Sequence, residues 1–149
     1  MRRIALAAGL ALALAVPAAA APSKAVVVEA AYNKALKATI LVDGSGRTLY
    51  LWTADNPRNN SVCAPDPGCA KYWPPLKAPA TAGPGVKASL LRTTTDGKVV
   101  TYNGHPLYHF AGYTGIGPPD KKAGQINGQG AFVVWWVVSP NGAPIKTIP

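Results

Sequence analysis

The chain has 149 residues, with 15 glycines and 15 prolines, and 48% of it is hydrophobic. That length suits a single domain, and so many turn formers argue against long helices and for short strands joined by turns. The formal net charge is +9, yet the longest run of cations is the pair Lys121-Lys122. Nucleic-acid-binding proteins cluster their cations, so the charge predicts a solvated basic surface that favours anionic partners.

The first 20 residues have the three parts of a cleavable secretory signal. Arg2 and Arg3 form a basic start, residues 4–16 lack polar side chains, and three alanines occupy positions 18–20 after Pro17. The apolar run is shorter than the roughly 20 residues that a membrane span needs. This length favours cleavage over an uncleaved N-terminal anchor.

We therefore expect a periplasmic or secreted protein that is cleaved near Ala20/Ala21. Removal of the two signal-peptide arginines leaves 13 Lys and Arg against 6 Asp and Glu, a net charge of +7. Cys63 is the first cysteine of the chain, so we expect no lipid anchor at a mature N-terminal cysteine. The arginine pair alone leaves Sec and Tat export as open alternatives.

The first half predicts strands and one helical turn. Within an N-terminal segment, residues 21–37, three consecutive valines indicate a strand at 26–28. Residues 38–42 and 48–52 read as a β-hairpin around a four-residue turn. Residues 69–73 predict one helical turn, which two prolines then end.

The second half begins after a Pro/Ala/Gly linker at residues 78–85 and predicts a three-stranded meander. Its turns are Asp96-Gly97 and Asn103-Gly104, which are typical of tight hairpins. The strands are expected at residues 90–94, 98–102 and 107–110. A long Gly- and Pro-rich loop follows at 112–130.

The most apolar segment after the signal is residues 131–138. Because apolar residues occupy both alternating faces, we expect one strand that is covered on both sides and central to the fold. Residues 144–148 could add an edge strand.

The two halves resemble each other, which indicates a tandem duplication. Each has a glycine turn followed by Leu-Tyr, at Tyr50 and at Tyr108, and later a tryptophan. We predict an all-β fold with short helical turns, a small barrel or sandwich built from two related repeats. The repeats are assigned to residues 38–80 and 86–149 and form one domain.

The chain resembles the secreted repeat proteins, often labelled predicted lipoproteins, that are defined by a Tyr-x4-Asp motif. The match is carried by residues 46–55 and 69–76 in the first repeat and 102–108, 127–130 and 136–140 in the second. The resemblance implies an exported bacterial envelope module without an established biochemical role. The second repeat departs from the pattern, because Tyr113 stands where an aspartate would follow Tyr108.

Cys63 and Cys69 are the only cysteines. In an oxidising compartment two nearby cysteines predict a disulfide. A redox-active pair is the alternative, although the usual Cys-x-x-Cys spacing is absent.

His105 and His109 are weak candidates for metal ligands. With two cysteines they make the count for a tetrahedral zinc site, and a copper-type surface site is a further alternative. However, Gly104 and Pro106 oppose a helix, and four residues of strand span about 13 Å, too far for two ligands of one ion. We therefore expect no metal and no other cofactor.

Four residues are candidates for a ligand site: Tyr50, Trp52, Asp55 and Tyr108. A tyrosine hydroxyl and a carboxylate could hold a polar ligand. In the alternative, the aromatic rings pack in the core while Asp55 accepts backbone N–H bonds and fixes a turn.

Catalytic motifs are missing from the sequence: it has no Gly-x-Ser-x-Gly elbow, no evident carboxylate pair and no phosphate-binding glycine loop. We therefore expect a non-enzymatic envelope or secreted module with a binding or structural role. Its expected partner is an envelope component, an anionic polymer or a protein, and not a nucleic acid. The alternative is a periplasmic metal-handling or redox accessory protein.

Overall fold

The computed structural model describes residues 24–55 and 59–149. The predicted signal peptide and its cleavage site lie outside these residues. Within them the chain forms short strands with little helix, as predicted from the turn formers. The strands are β1 (Val26–Asn33), β2 (Ala38–Asp43), β3 (Tyr50–Trp52), β4 (Ala80–Ala82), β5 (Leu91–Thr93), β6 (Val100–Tyr102), β7 (His105–Pro106) and β8 (Trp135–Val137).

In the described part of the chain the strands form three small sheets, in the orders β2-β1-β4, β3-β8 and β5-β6-β7. In these residues the sheets do not close into a barrel. The all-β prediction is confirmed. The sheets are open, and the β3-β8 sheet takes one strand from each half of the chain.

The first sheet is built around β1, which pairs antiparallel with β2 and parallel with β4. The strand predicted at 26–28 is confirmed and extends to Asn33. The linker predicted at 78–85 is wrong, because its centre forms β4. Small residues let this segment lie flat against β1, and a Cβ on Gly83 would be only 2.7 Å from Glu29.

The turn of the predicted first hairpin forms, but the strand after it pairs elsewhere. Gly46 adopts a φ of 80°, and its N–H donates to the Asp43 carbonyl at 2.7 Å. The two arms meet at the Val42–Thr48 bridge, where the Asp43 N–H donates to the Arg47 carbonyl and the Leu49 N–H to the Leu41 carbonyl. From Tyr50 the chain turns away as β3 and pairs with β8.

The short helix α1 spans Pro67–Ala70, not residues 69–73 as predicted. The Asp66 carboxylate accepts from the Gly68 N–H at 2.9 Å, and proline occupies the first turn. Both features favour a helix start at this point. The helix therefore begins just after Asp66, at Pro67, two residues before the predicted start.

The predicted three-stranded meander is confirmed as β5-β6-β7. Its first two strands are shorter than predicted, and the third lies at His105–Pro106, before the predicted residues 107–110. Leu107 still donates to the Val100 carbonyl of β6 at 2.9 Å, and its own carbonyl accepts from the Leu76 N–H. From Tyr108 the chain leaves the meander and bridges both Tyr50 and Pro75.

The single strand predicted at 131–138 is wrong in its first half. Ala131–Val133 forms a 3-10 turn in which the Val133 N–H donates to the Gly130 carbonyl at 2.9 Å. This turn exposes Phe132 and Val133. The second half is β8, whose residues are buried on both faces as predicted.

Two other predictions concern the C-terminal part of the chain. The edge strand expected at 144–148 reduces to a Val138–Pro144 bridge and one bond from Ile145 to Val137. None of the helices in residues 24–55 and 59–149 has the length and apolar content needed to cross a membrane.

Alternation along residues 49–51, at the start of β3, divides the core into two clusters. Leu49 and Leu51 face one cluster with Leu107, whereas Tyr50 and Tyr108 face the other. This is the period-two pattern of a strand that is buried on both faces. The aromatic cluster is the one that brings the predicted site residues together.

Cys63 and Cys69 form the predicted disulfide. Cys63 is fully buried against the aromatic cluster, so the bridge fixes the 63–69 loop to the core.

We expect reduction of this disulfide to lower the free energy of unfolding by about 2 kcal/mol, because the closed loop is short. Urea unfolding with and without dithiothreitol measures the change. The double variant Cys63→Ala/Cys69→Ala is the control and should not respond to the reductant. An identical unfolding curve for the reduced and oxidised wild type would contradict the prediction.

Candidate functional site: a crossed pair of tyrosines and aspartates

Tyr50 and Tyr108 meet at the centre of the described structure. The N–H of each donates to the carbonyl of the other, both at 2.9 Å. On its other side Tyr50 pairs with Val137, and Tyr108 bridges Pro75. The two halves of the chain thus place the same motif on either side of one antiparallel bridge.

The hydroxyl groups of these tyrosines cross between the halves. The Tyr50 hydroxyl donates to the Asp120 carboxylate at 2.5 Å, and the Tyr108 hydroxyl donates to the Asp55 carboxylate. Each tyrosine therefore binds the aspartate of the other repeat. The predicted residues Tyr108 and Asp55 come together, whereas Tyr50 and Asp55 of the Tyr-x4-Asp motif are not partners.

Both aspartates also hold a backbone turn in the same way. Asp55 accepts from the N–H of Val62 at 2.7 Å, and Asp120 accepts from the N–H of Asn127 at 2.9 Å. In each case the donor lies seven residues after the aspartate. Each carboxylate thus fixes the conformation of a loop and also accepts the hydrogen bond of a tyrosine hydroxyl.

Stacked tryptophans repeat the same symmetry. The rings of Trp73 and Trp135 are nearly parallel, with centroids 4.0 Å apart. Tyr50 packs edge-on against Trp73 at 5.4 Å, and Tyr108 packs edge-on against Trp135 at 5.1 Å. Such aromatic pairs stabilise the fold by more than the burial of their apolar surface alone.

The outer rings of this stack come from the residues two positions after each tyrosine. Trp52 stacks on Trp135 at 5.4 Å, and Phe110 packs on Trp73 at 4.7 Å. The predicted site residue Trp52 therefore belongs to the aromatic cluster and is only partly exposed. Trp136, next in sequence to Trp135, is on the other face of β8.

Asp120 is the site residue that the sequence analysis missed. It lies twelve positions after Tyr108, inside the long loop predicted at 112–130, whereas Asp55 lies five positions after Tyr50. Elimination could have found it, because the only other acidic residue of the second repeat is Asp96, in a predicted tight turn. Tyr113, at the position where an aspartate was expected, instead packs edge-on against Tyr72.

Burial dominates the electrostatics of the four groups. It raises the pKa of both Asp55 and Asp120 above the ordinary 3.8. Burial and the adjacent carboxylates raise the pKa values of Tyr50 and Tyr108 far above the ordinary 10.0. The phenols are therefore neutral at physiological pH and act as hydrogen-bond donors, not as bases or nucleophiles.

The two histidines lie beside different carboxylates. His109 Nε2 is 2.9 Å from the Asp43 carboxylate, which also accepts from the Arg47 side chain at 3.0 Å. Burial would raise the pKa of Asp43, but the hydrogen bonds, from His109 first, hold it well below 3.8. His105 is half-buried, and burial lowers its pKa. Its Nδ1 has no hydrogen-bond partner among residues 24–55 and 59–149.

In residues 24–55 and 59–149 no three His, Cys, Asp or Glu side chains form a group that could hold a metal ion. The cysteines are joined to each other and His109 is bonded to Asp43. Nothing in this part of the chain favours the metal-handling alternative.

A groove of about 900 Å³ lies beside the crossed pair. Ser61 lines it, and its hydroxyl is 2.6 Å from the Tyr108 hydroxyl. Lys77 and Lys98 border the same groove. Asp96 also lines the groove, and its carboxylate is 3.7 Å from the Lys98 ammonium. Ser61 thus separates the buried Tyr108–Asp55 pair from this groove.

Comparison with known families agrees with this two-fold arrangement. Residues 36–77 and 91–139 each match a family described as a secreted repeat of unknown function. This chain belongs to that family. Each matched stretch of the secreted repeat contains one of the central tyrosines. The description of the family as secreted supports an exported location. No curated protein and no solved structure matched the chain.

We expect Tyr108→Phe to destabilise the fold by about 1–3 kcal/mol, because it leaves a buried carboxylate short of a donor. Tyr50→Phe should cost a similar amount, since its partner Asp120 is buried in the same way. The control is Tyr32→Phe, a ring that is 65% exposed, which should change stability by less than about 0.5 kcal/mol. Urea unfolding measures all three, and equal effects at positions 32 and 108 would refute the prediction.

The pH dependence of stability should also depend on Asp120. Because its folded pKa lies above 3.8, the unfolded chain loses this proton first as pH rises. The stabilising contribution is therefore full below pH 3.8 and is lost as pH rises through the folded pKa. We expect the free energy of unfolding of the wild type, relative to Asp120→Asn, to fall over this range.

Asp43→Asn provides a contrast of opposite sign. The folded pKa of Asp43 is lowered, so its contribution is present above pH 3.8 and is lost as pH falls. Chemical unfolding at a series of pH values gives both differences. A difference for Asp120→Asn that does not vary with pH would show that the folded pKa is not raised.

Proposed function

We propose that this protein is an exported, non-enzymatic module that binds anionic components of the cell envelope through its basic surface. In this proposal the signal peptide is cleaved near Ala20/Ala21, and the mature protein works in the periplasm or outside the cell. The crossed tyrosine–aspartate pair has a structural role: it joins the two repeats.

The burial of the pair supports a structural role over ligand binding. Tyr50 and Tyr108 have no exposed surface, and Asp55 is 2% exposed. Their polar atoms already bond to one another and to backbone N–H groups. A ligand would have to break buried hydrogen bonds to reach them, which is costly.

The distribution of charge is the observation that carries the binding proposal. All ten lysines of the mature chain are exposed. Three of the six acidic residues, Asp43, Asp55 and Asp120, are instead buried. Fewer carboxylates therefore oppose the cations at the surface, so the surface attracts anions more strongly than the net charge suggests.

Binding of the mature protein to immobilised polyphosphate tests this proposal. We expect binding at low salt that is lost at about 1 M salt, where charges are screened within roughly 3 Å. No binding at low salt, or binding that salt does not weaken, would overturn the proposal.

A pair of matched variants locates the contact. Lys77→Gln/Lys98→Gln removes the cations that border the groove, and Lys34→Gln/Lys37→Gln removes the same charge from the β1–β2 turn. A larger loss of affinity in the first variant would place the polymer along the groove. Equal losses would show that the whole basic surface contributes.

A further inference from the structure

Three apolar side chains form an exposed cluster around the turn before β8. Val133 is 77% exposed, Phe132 55% and Tyr113 37%. The Tyr113 and Phe132 rings pack edge-on with centroids 5.3 Å apart. We call these three residues the apolar tip.

The backbone of the apolar tip is strained. Phe132 and Val133 have φ values of 52° and 62°, in the left-handed region that disfavours side chains with a Cβ. For a β-branched valine this conformation is a genuine outlier. Glycine or asparagine would adopt it at lower cost.

Stability of the fold gives no reason for this choice of residues. A strained turn that points phenylalanine and valine into water is unfavourable both in conformation and in solvation. Exposed apolar clusters of this kind mark interaction surfaces. We therefore expect a binding partner to cover the side chains of the tip.

One cationic side chain, Lys71, lies near the tip, over a ring that packs against it. The Lys71 ammonium lies 5.2 Å from the centroid of the Tyr72 ring, and Tyr72 packs edge-on against Tyr113 at 4.7 Å. An exposed apolar cluster with a cation nearby, on a protein of net positive charge, complements a surface that is apolar inside and anionic outside. An anionic lipid bilayer has this arrangement.

The size of the tip favours the same occupant. A stable protein partner needs about 800 Å² of contact on each side, which three side chains do not supply. The boundary between lipid headgroups and acyl chains is only about 5–10 Å deep, and a turn that ends in two apolar residues can enter it. Tyrosine is also enriched at that boundary.

We propose that the apolar tip inserts into the interface of an anionic lipid bilayer, with the lysines contacting the headgroups. This inference rests on the proposed binding of anionic envelope components and names one of them. Charge brings the protein to the membrane, and the tip holds it there.

Sedimentation with phosphatidylglycerol vesicles tests the inference, with phosphatidylcholine vesicles for comparison. The test variant is Phe132→Asn/Val133→Asn, because asparagine accepts the left-handed backbone. We expect its affinity for anionic vesicles to fall about tenfold or more through lost apolar burial. Its melting temperature should stay the same or rise, and its binding to polyphosphate should not change.

Val62→Asn is the matched control. Val62 is 56% exposed and lies immediately before Cys63, so the change removes an exposed valine elsewhere and should leave vesicle binding intact. Equal vesicle binding by the wild type and the tip variant would overturn the insertion. Wild-type binding to polyphosphate without binding to phosphatidylglycerol vesicles would do the same. In either case binding to polyphosphate stands, so the proposed function survives. Its own failure is a wild type that does not bind polyphosphate at low salt.

Discussion

The packing of the two repeats against each other depends on two backbone hydrogen bonds that Tyr50 and Tyr108 exchange. They set the two repeats face to face, so that each phenol reaches the carboxylate of the opposite repeat. The same register brings Trp73 and Trp135 into a parallel stack. Small sheets with short strands have little ladder bonding of their own. This junction joins the β3-β8 sheet to the chain that follows β7.

Burying two carboxylates is expensive unless their hydrogen bonds are complete. Here each carboxylate accepts from a phenol and from a backbone N–H, so the junction is a satisfied polar network inside an aromatic cluster. Such networks specify one arrangement, because any slip of register leaves a buried charge without donors.

Local signals in the sequence predicted local structure well. Asn-Gly and Asp-Gly turns identified the meander, and cysteines in an exported chain identified the disulfide. Pairing between distant segments was not predictable, because the apolar pattern of residues 49–51 says that both faces are buried but not which strand lies beside them. The same limit hid Asp120, whose role depends on a tyrosine 70 positions earlier. At residues 131–133 an apolar pattern indicated a strand, but the chain there forms a tight turn.

The crossing of the aspartates has a consequence for the origin of the fold. A single repeat that carried one tyrosine and one aspartate could not form the tyrosine–aspartate hydrogen bond alone, since the side-chain partner of each lies in the other half. Two identical copies related by a two-fold axis would satisfy both at once. The junction therefore has the form of an isologous homodimer interface that gene duplication has joined into one polypeptide.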